Sequence, residues 1–289
     1  MRKKQDKKTL IISATICFFS LSILAFMVWF VFKESLGAIG EVGFKGLLFS
    51  SRWQPINTSI HHYGIRNMLL STLYVSALGV FFAFVVGIGC ALFLAIDQTK
   101  RKRELLLPAI NLLAGIPSVV YGFVGLAVVV RAFEKLGMAS GESVLAGAIV
   151  LSVMLLPYVI SSSCETMVKI KNKYLLSSEA LGVSKWFLAS KVVLPKSLKG
   201  ILVSIILATG RAMGETMAVM MVMGNAPAFP HLLGKGETLS SLIALEMGAA
   251  EVGSTHFSAL YFAGLTLLFL LLLINVIFFF LDKILLEDR

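Results

Sequence analysis

The chain has 289 residues, of which 57% are hydrophobic and only 15% charged, and its mean hydropathy is +0.89. A water-soluble domain of this size has no use for so much apolar surface, so the composition excludes a soluble enzyme or binding module and points to an integral membrane protein. A net charge of +10 would suit a nucleic acid, but the basic residues gather in short segments beside apolar runs, which is the pattern of membrane orientation; no nucleic-acid partner is expected.

A helix crosses the roughly 30 Å hydrocarbon layer in about 20 residues. Six stretches pass that test, at roughly 9–32, 67–96, 105–130, 143–164, 201–224 and 255–281, so the expected fold class is an all-α membrane protein with six transmembrane helices. A transmembrane barrel is excluded, because its strands alternate in polarity over about ten residues, whereas LTLLFLLLLINVIFFFL (265–281) is apolar on every side. The first span exceeds the apolar core of about 7 to 15 residues in a cleavable signal peptide, and no small-x-small site closely follows it; it is expected to stay as an anchor. Cys17, Cys90 and Cys164 all fall within spans and read as apolar packing residues.

A polar stretch at 33–66 sets the first span apart as an appended helix, which divides the chain into 1–66, a transmembrane unit at 67–281 and a tail at 282–289. Pro117 and Pro157 are expected to kink the third and fourth spans. Gly79, Gly87, Gly115, Gly122, Gly125, Gly210 and Gly214 offer close helix approach, which matters in lipid because apolar burial gives helices no reason to pair there. The loop at 165–200 shows helical patterning on both sides of Gly182 and reads as helix, turn, helix. The loop at 225–254 carries Leu239, Leu242, Ile243 and Met247 at helical spacing, a short helix either on the bilayer surface or over the bundle. Eighteen of the 26 Lys and Arg lie in the two tails and the loops at 97–104 and 165–200, and seven lie in the opposite loops, so both termini are expected in the cytoplasm.

No P-loop, H-E-x-x-H, paired C-x-x-C or G-x-S-x-G is present, so no nucleotide site, metal site or hydrolase site is expected in this chain. What stands out is GRAMGET (210–216), which sets Arg211 and Glu215 in an apolar, Met-rich span. Four residues apart on a continuous helix, they share a face and can pair. Each costs about 2.5 to 3.5 kcal/mol at a span's centre on insertion scales, so both should point into the bundle. They are then either an interhelix polar clamp or the lining of a path that offers a guanidinium to an anion.

EALGVSKWFLASKVVLP (179–195) resembles the EAA loop of ABC importer permeases: Gly182, Val192, Leu194 and Pro195 have its spacing. Its leading Glu-Ala-Ala positions hold Leu176, Ser177 and Ser178 here, with Glu179 and Ala180 three residues later. AGIPSVVYGFVGL (114–126), GRAMGETMAVMMVMGN (210–225) and FSSRWQP (49–55) further resemble phosphate-importer permeases of the PstC type, from about residue 45 to the end. The resemblance implies a type-1 ABC importer permease fold in the bacterial cytoplasmic membrane. It also implies a PstA-like second permease subunit, a PstB-like ATPase dimer that binds ATP and Mg in place of this chain, and a PstS-like phosphate-binding protein. In that scheme Arg211 and Glu215 line the cargo path, while Glu179, Ala180, Gly182, Leu194 and Pro195 couple to the ATPase.

Two rivals remain at this point: a permease for sulfate or molybdate, and an ion-coupled secondary transporter using Glu215 as a proton site. An intramembrane enzyme lacks a nucleophile. His61 and His62 read as solvated surface, Asn275 as a hydrogen bond to another helix, and Asn225 as either a cap or a contact for the binding protein.

Overall fold

With no water in the bilayer to satisfy exposed backbone groups, apolar runs of this length close their hydrogen bonds as helices. The computed structural model describes the backbone of residues 2–55, 61–96 and 100–286, and side chains for 10, 12–55, 61–96 and 101–280. In chain order come α1 (Arg2–Val42), α2 (Phe44–Phe49) and a small antiparallel hairpin of β1 (Trp53–Gln54) with β2 (His62–Tyr63). Next are α3 (Arg66–Ile96), α4 (Lys100–Ala114) and α5 (Ser118–Val124), which runs through a π-helical turn, Gly125–Val130, into α6 (Arg131–Lys135). Then follow α7 (Val144–Ala180), α8 (Lys185–Phe187), a second π-helical turn at Leu188–Val193, and α9 (Leu194–Lys196). The last are α10 (Leu198–Gly214), α11 (Met217–Met223), α12 (Leu239–Glu246) and α13 (Thr255–Leu286).

Among the described residues, four helical stretches are individually long and apolar enough to cross a membrane: Ile12–Val42, Arg66–Ile96, Val144–Ala180 and Thr255–Phe280. Two bent pairs raise the number to as many as six: Arg101–Ala114 with Ser118–Lys135 at 88°, and Lys185–Lys196 with Leu198–Gly214 at 60°. The stretch expected as one kinked span at 105–130 is therefore two helices at nearly a right angle. Pro117, which lacks an N–H, sits at the join. Pro157, by contrast, is absorbed within an unbroken α7. The first helix runs ten residues past the expected boundary, to Val42, and buries Ser35 and Ala38 in the exterior packing. At the other end α13 is helical to Leu286, and 287–289 lie outside the described residues, as do 97–99 of the basic loop.

The bundle centres on α3 against α7. Ser71, Val75, Gly79, Ala83, Gly87 and Ala91 recur every fourth residue of α3, and all are buried. A methyl group added at Gly79 would lie 2.9 Å from Leu151, and one at Gly87 would lie 2.8 Å from Val159. Gly122 is pressed equally closely on Met221 of α11. Gly210 and Gly214 behave differently: nothing lies within 4 Å of where their Cβ atoms would be, so the expected close backbone approach there is not formed. At the end of the bundle where α3 stops, Lys171 donates to the carbonyls of Ala95 and Ile96 at 2.9 and 3.1 Å, placing a cation on the C-terminus of α3. Across the bundle α1 packs on α13, and none of residues 12–32 of α1 is buried inside the protein.

The loop at 225–254 folds over the bundle. Leu239 and Leu242 of α12 are fully buried in a cluster with Leu47, Trp53, Ile65 and Phe262. The carbonyls of Leu232 and Gly234 receive the first N–H groups of α7, from Leu145 and Val144, at 2.9 and 3.0 Å. Of the two positions predicted for this amphipathic helix, over the bundle is the one found. Asn275 bonds to Leu271 of its own helix, not to a neighbouring helix, because its exposed side faces away from the bundle. Asn225 is left-handed, at φ 44, and donates to the Met220 carbonyl at 2.8 Å, so it closes the end of α11.

Candidate functional site

The segment holding the two intramembrane charges is not one helix. α10 stops at Gly214; Glu215 is extended at φ −71, ψ 126; and α11 starts two residues later. The break rotates Glu215 away from the face that carries Arg211, and among the described residues the two form no ion pair with each other. The expected pairing across one helical turn is therefore corrected by the loss of helical geometry between them. Glu215 turns instead to the new helix, where its Oε1 accepts from the Ala218 N–H at 3.2 Å. That is a cap for orphan backbone donors, reinforced by the helix dipole. The Glu215 carbonyl in turn accepts from Ser240 Oγ at 3.0 Å, which joins the break to α12.

Arg211 is exposed on this chain, with its Cζ 4.5 Å from the centroid of the Tyr158 ring. No hydrogen-bond acceptor among the described residues engages its guanidinium. Tyr158 comes from α7, one residue after Pro157, and its hydroxyl reaches toward the Ala114 carbonyl at 3.5 Å. Tyr121 of α5 donates to the neighbouring Leu113 carbonyl at 2.8 Å. These are the last carbonyls of α4 before the 88° bend; Leu113 also accepts from the Ile116 N–H at 3.2 Å. One turn along α7, Ser161 donates to Asn111, and a cavity of about 270 Å³ opens between Asn111, Ala114, Tyr158, Ser161, Ser204 and Leu207. Arg211 thus stands where α7, α10 and the broken third span converge.

A buried carboxyl lies above the break. Glu237 is 4% exposed, and no hydrogen-bond donor among the described residues reaches its side chain. Burial, and secondarily the charge of Glu246, push its pKa up to about 8. Glu246 accepts from Trp53 Nε1 at 2.9 Å and meets His256 Nε2 at 2.7 Å, with Tyr63 stacked on His256. The Trp53 of FSSRWQP therefore pins the β1–β2 hairpin to α12 and α13. Sequence reasoning marked that motif without finding this role, and it passed over Glu237 and Tyr158 entirely. Nothing in a loop's sequence announces that one of its carboxyls will be covered by the fold.

At the opposite end of the bundle, Glu179, Ala180 and Gly182 are exposed at the end of α7, and Leu194 and Pro195 are half-buried at α9. Gly182 is left-handed at φ 63, and Val183 N–H returns to the Ser178 carbonyl at 3.1 Å, a helix stop that favours glycine. Ser184 caps the next helix by accepting from Phe187 N–H at 3.2 Å. Leu188, Ala189 and Val193 anchor the loop in the core beside the end of α3, while Leu176, Leu181 and Trp186 are each at least 75% exposed. Such apolar side chains on a firmly anchored projection suit a partner surface.

Residues 87–287 match the family described as binding-protein-dependent transport system inner membrane component. The chain belongs to that family. Among curated relatives, YqgH of Bacillus subtilis, a probable ABC transporter permease protein, is 36% identical, with 76% of this chain and 72% of that protein covered. The phosphate transport system permease protein PstC of Mesorhizobium japonicum is 31% identical over 86% of this chain and 80% of that protein. Among solved structures, a bacterial alginate ABC transporter in complex with its periplasmic protein matches 99% of this chain and 97% of that chain, at a TM-score of 0.64 and 16% identity. The MetNI methionine ABC transporter, in an inward-facing conformation, matches 76% of this chain and 94% of that chain at 0.59 and 16%. At such identities the likeness carries the fold alone, and that fold is the ABC importer permease architecture, not an enzyme's. The family member described here is thus a membrane permease component, and ATP hydrolysis belongs to a separate subunit.

Proposed function

We infer that this family member is the permease subunit of an ATP-driven phosphate importer, which accepts phosphate from an external binding protein and passes it inward by alternating access. The observation that carries the reading is Arg211: a guanidinium in an apolar span, at a break in the helix, with no carboxylate neutralising it. The planar fork of Arg matches a tetrahedral oxyanion, and the relatives named for phosphate transport supply the cargo. Six spans with both termini inside, in a bacterial cytoplasmic membrane, complete the scheme. A PstA-like subunit covers the exposed Arg211 face. A PstB-like ATPase dimer, holding ATP and Mg, meets the loop around Gly182, with Glu179 as its exposed acidic contact. A PstS-like protein docks on the exterior loops.

Phosphate near neutral pH keeps a proton that fully ionised sulfate lacks, so Glu215 can accept a hydrogen bond from the one and not from the other. The test is uptake of radiolabelled inorganic phosphate by the complete transporter in vesicles, with sulfate as competitor. Arg211→Gln should lower uptake by about tenfold or more, the worth of a charge-assisted hydrogen bond of about 1.5 to 3 kcal/mol. Glu215→Gln keeps an oxygen to accept from Ala218 N–H, so it preserves the cap while removing the charge. It should narrow the preference for phosphate over sulfate. Uptake unchanged in Arg211→Gln would sink the cargo path, and an unchanged preference in Glu215→Gln would sink the account of selectivity.

A further inference from the structure

We propose that Tyr158 is the positioning residue of the cargo path: it holds Arg211 by the face of the guanidinium, so that the charge and the in-plane N–H donors stay free for an oxyanion. The inference rests on Arg211 being the cargo-binding cation, and it concerns how that cation is kept available.

An arginine in a membrane bundle has two ordinary partners. A carboxylate engages its N–H edge, neutralises its charge and competes with an anionic cargo for the same donors. An aromatic ring attracts the cation through the negative potential above the ring, carries no charge to neutralise it, and, when the two planes stack, leaves the in-plane N–H donors free. The break at Glu215 removes the first partner, and Tyr158 supplies the second at 4.5 Å.

The ring is itself held from both sides. Pro157 precedes it within the continuous α7, and its hydroxyl lies 3.5 Å from the Ala114 carbonyl at the end of α4. The Tyr121 hydroxyl takes the adjacent Leu113 carbonyl, and the Ser161–Asn111 bond ties α7 to α4 one turn further on. Arg211 on α10 therefore rests on a platform built jointly by α7 and the broken third span. A reorientation of α10 against that platform would lift the cation from the ring, so the hold belongs to one arrangement of the bundle.

A cation held by a ring's electrostatics has a signature that simple packing does not share. Fluorine drains the negative face of phenylalanine stepwise with little change in size. The full transporter carrying Tyr158→Phe, and then mono-, di- and trifluorophenylalanine at 158, is assayed for uptake of radiolabelled inorganic phosphate at saturating binding protein. Rates are normalised to permease abundance and to ATP hydrolysed. Tyr158→Phe should stay within about twofold of wild type, and the fluorinated series should fall monotonically by about threefold to tenfold in total. A flat series overturns the proposal, and so does a Tyr158→Phe variant as poor as the trifluoro form, since the hydroxyl would then be what matters. Arg211→Gln is run alongside. Loss of uptake there with a flat fluorination series sinks only the role of Tyr158, whereas full uptake there sinks the cargo path and this inference together.

Discussion

Glu237 shows how far one side chain's chemistry can depart from its sequence neighbourhood. GKGETLSS reads as a polar exterior loop, yet the loop lies across α3 and α7 and leaves this carboxyl 4% exposed, with a pKa near 8. Below the ordinary carboxylate range the group is protonated in both the folded and unfolded chain. Between that range and pH 8 only the folded chain holds the proton, so stability should fall as pH rises through this window, by at most about 1.4 kcal/mol per pH unit, and level off above it. Glu237→Gln should flatten this slope and melt higher than wild type in detergent at pH 8.5, with the two proteins converging toward pH 5. Parallel melting curves across that range would show that Glu237 titrates normally. The same limit on legibility applies to Arg211 and Glu215. Their presence in an apolar run was plain, but the break between them was not, because Gly214 and Thr216 are weak stop signals inside a strongly apolar stretch and the spacing was read on an unbroken helix.

At the scale of elements, what the sequence made legible was the apolar length of the spans, and what it hid was how they bend and which glycines pack. Pro117 announced a discontinuity, but an 88° bend depends on where α5 docks, which is against α11 and α7, far along the chain. Gly79, Gly87 and Gly122 are contact positions, whereas Gly210 and Gly214 face open space, and glycine looks the same in sequence in either setting. Two glycines of α3 make the distinction measurable. A methyl group at Gly87 would press on Val159 at 2.8 Å, while one at Gly89 meets nothing within 4 Å. Gly87→Val should force α3 from α7 at a cost of about 1 to 3 kcal/mol, and Gly89→Val should cost far less. Thermal stability of the purified complex distinguishes them, and equal losses in both variants would mean that the α3–α7 contact does not control stability.

For the whole molecule, the proposed function requires that a change in the ATPase reach Arg211, and the route the fold offers is mechanical. The loop after α7 is anchored at Leu188, Ala189 and Val193 beside the end of α3; α7 is unbroken from Val144 to Ala180 and carries Tyr158; and the loop continues through the 60° bend into α10, which carries Arg211. Displacement at Gly182 therefore enters both sides of the Arg211–Tyr158 contact. The turn that launches this route needs a left-handed residue at φ 63, and no neighbouring atom lies within 4 Å of a Cβ placed there. Replacement thus tests backbone conformation without steric clash. Asn adopts this conformation readily and β-branched residues do not, with a cost of roughly 1 to 2 kcal/mol for leaving the preferred region. Gly182→Asn should keep near wild-type uptake. Gly182→Val should retain the ATPase in pull-downs through Leu176, Leu181 and Trp186, yet deliver less phosphate per ATP hydrolysed, because the projection no longer presents one fixed shape. If Val and Asn behave alike, the turn is a tether with no role in transmission, and the force must reach α10 by another element.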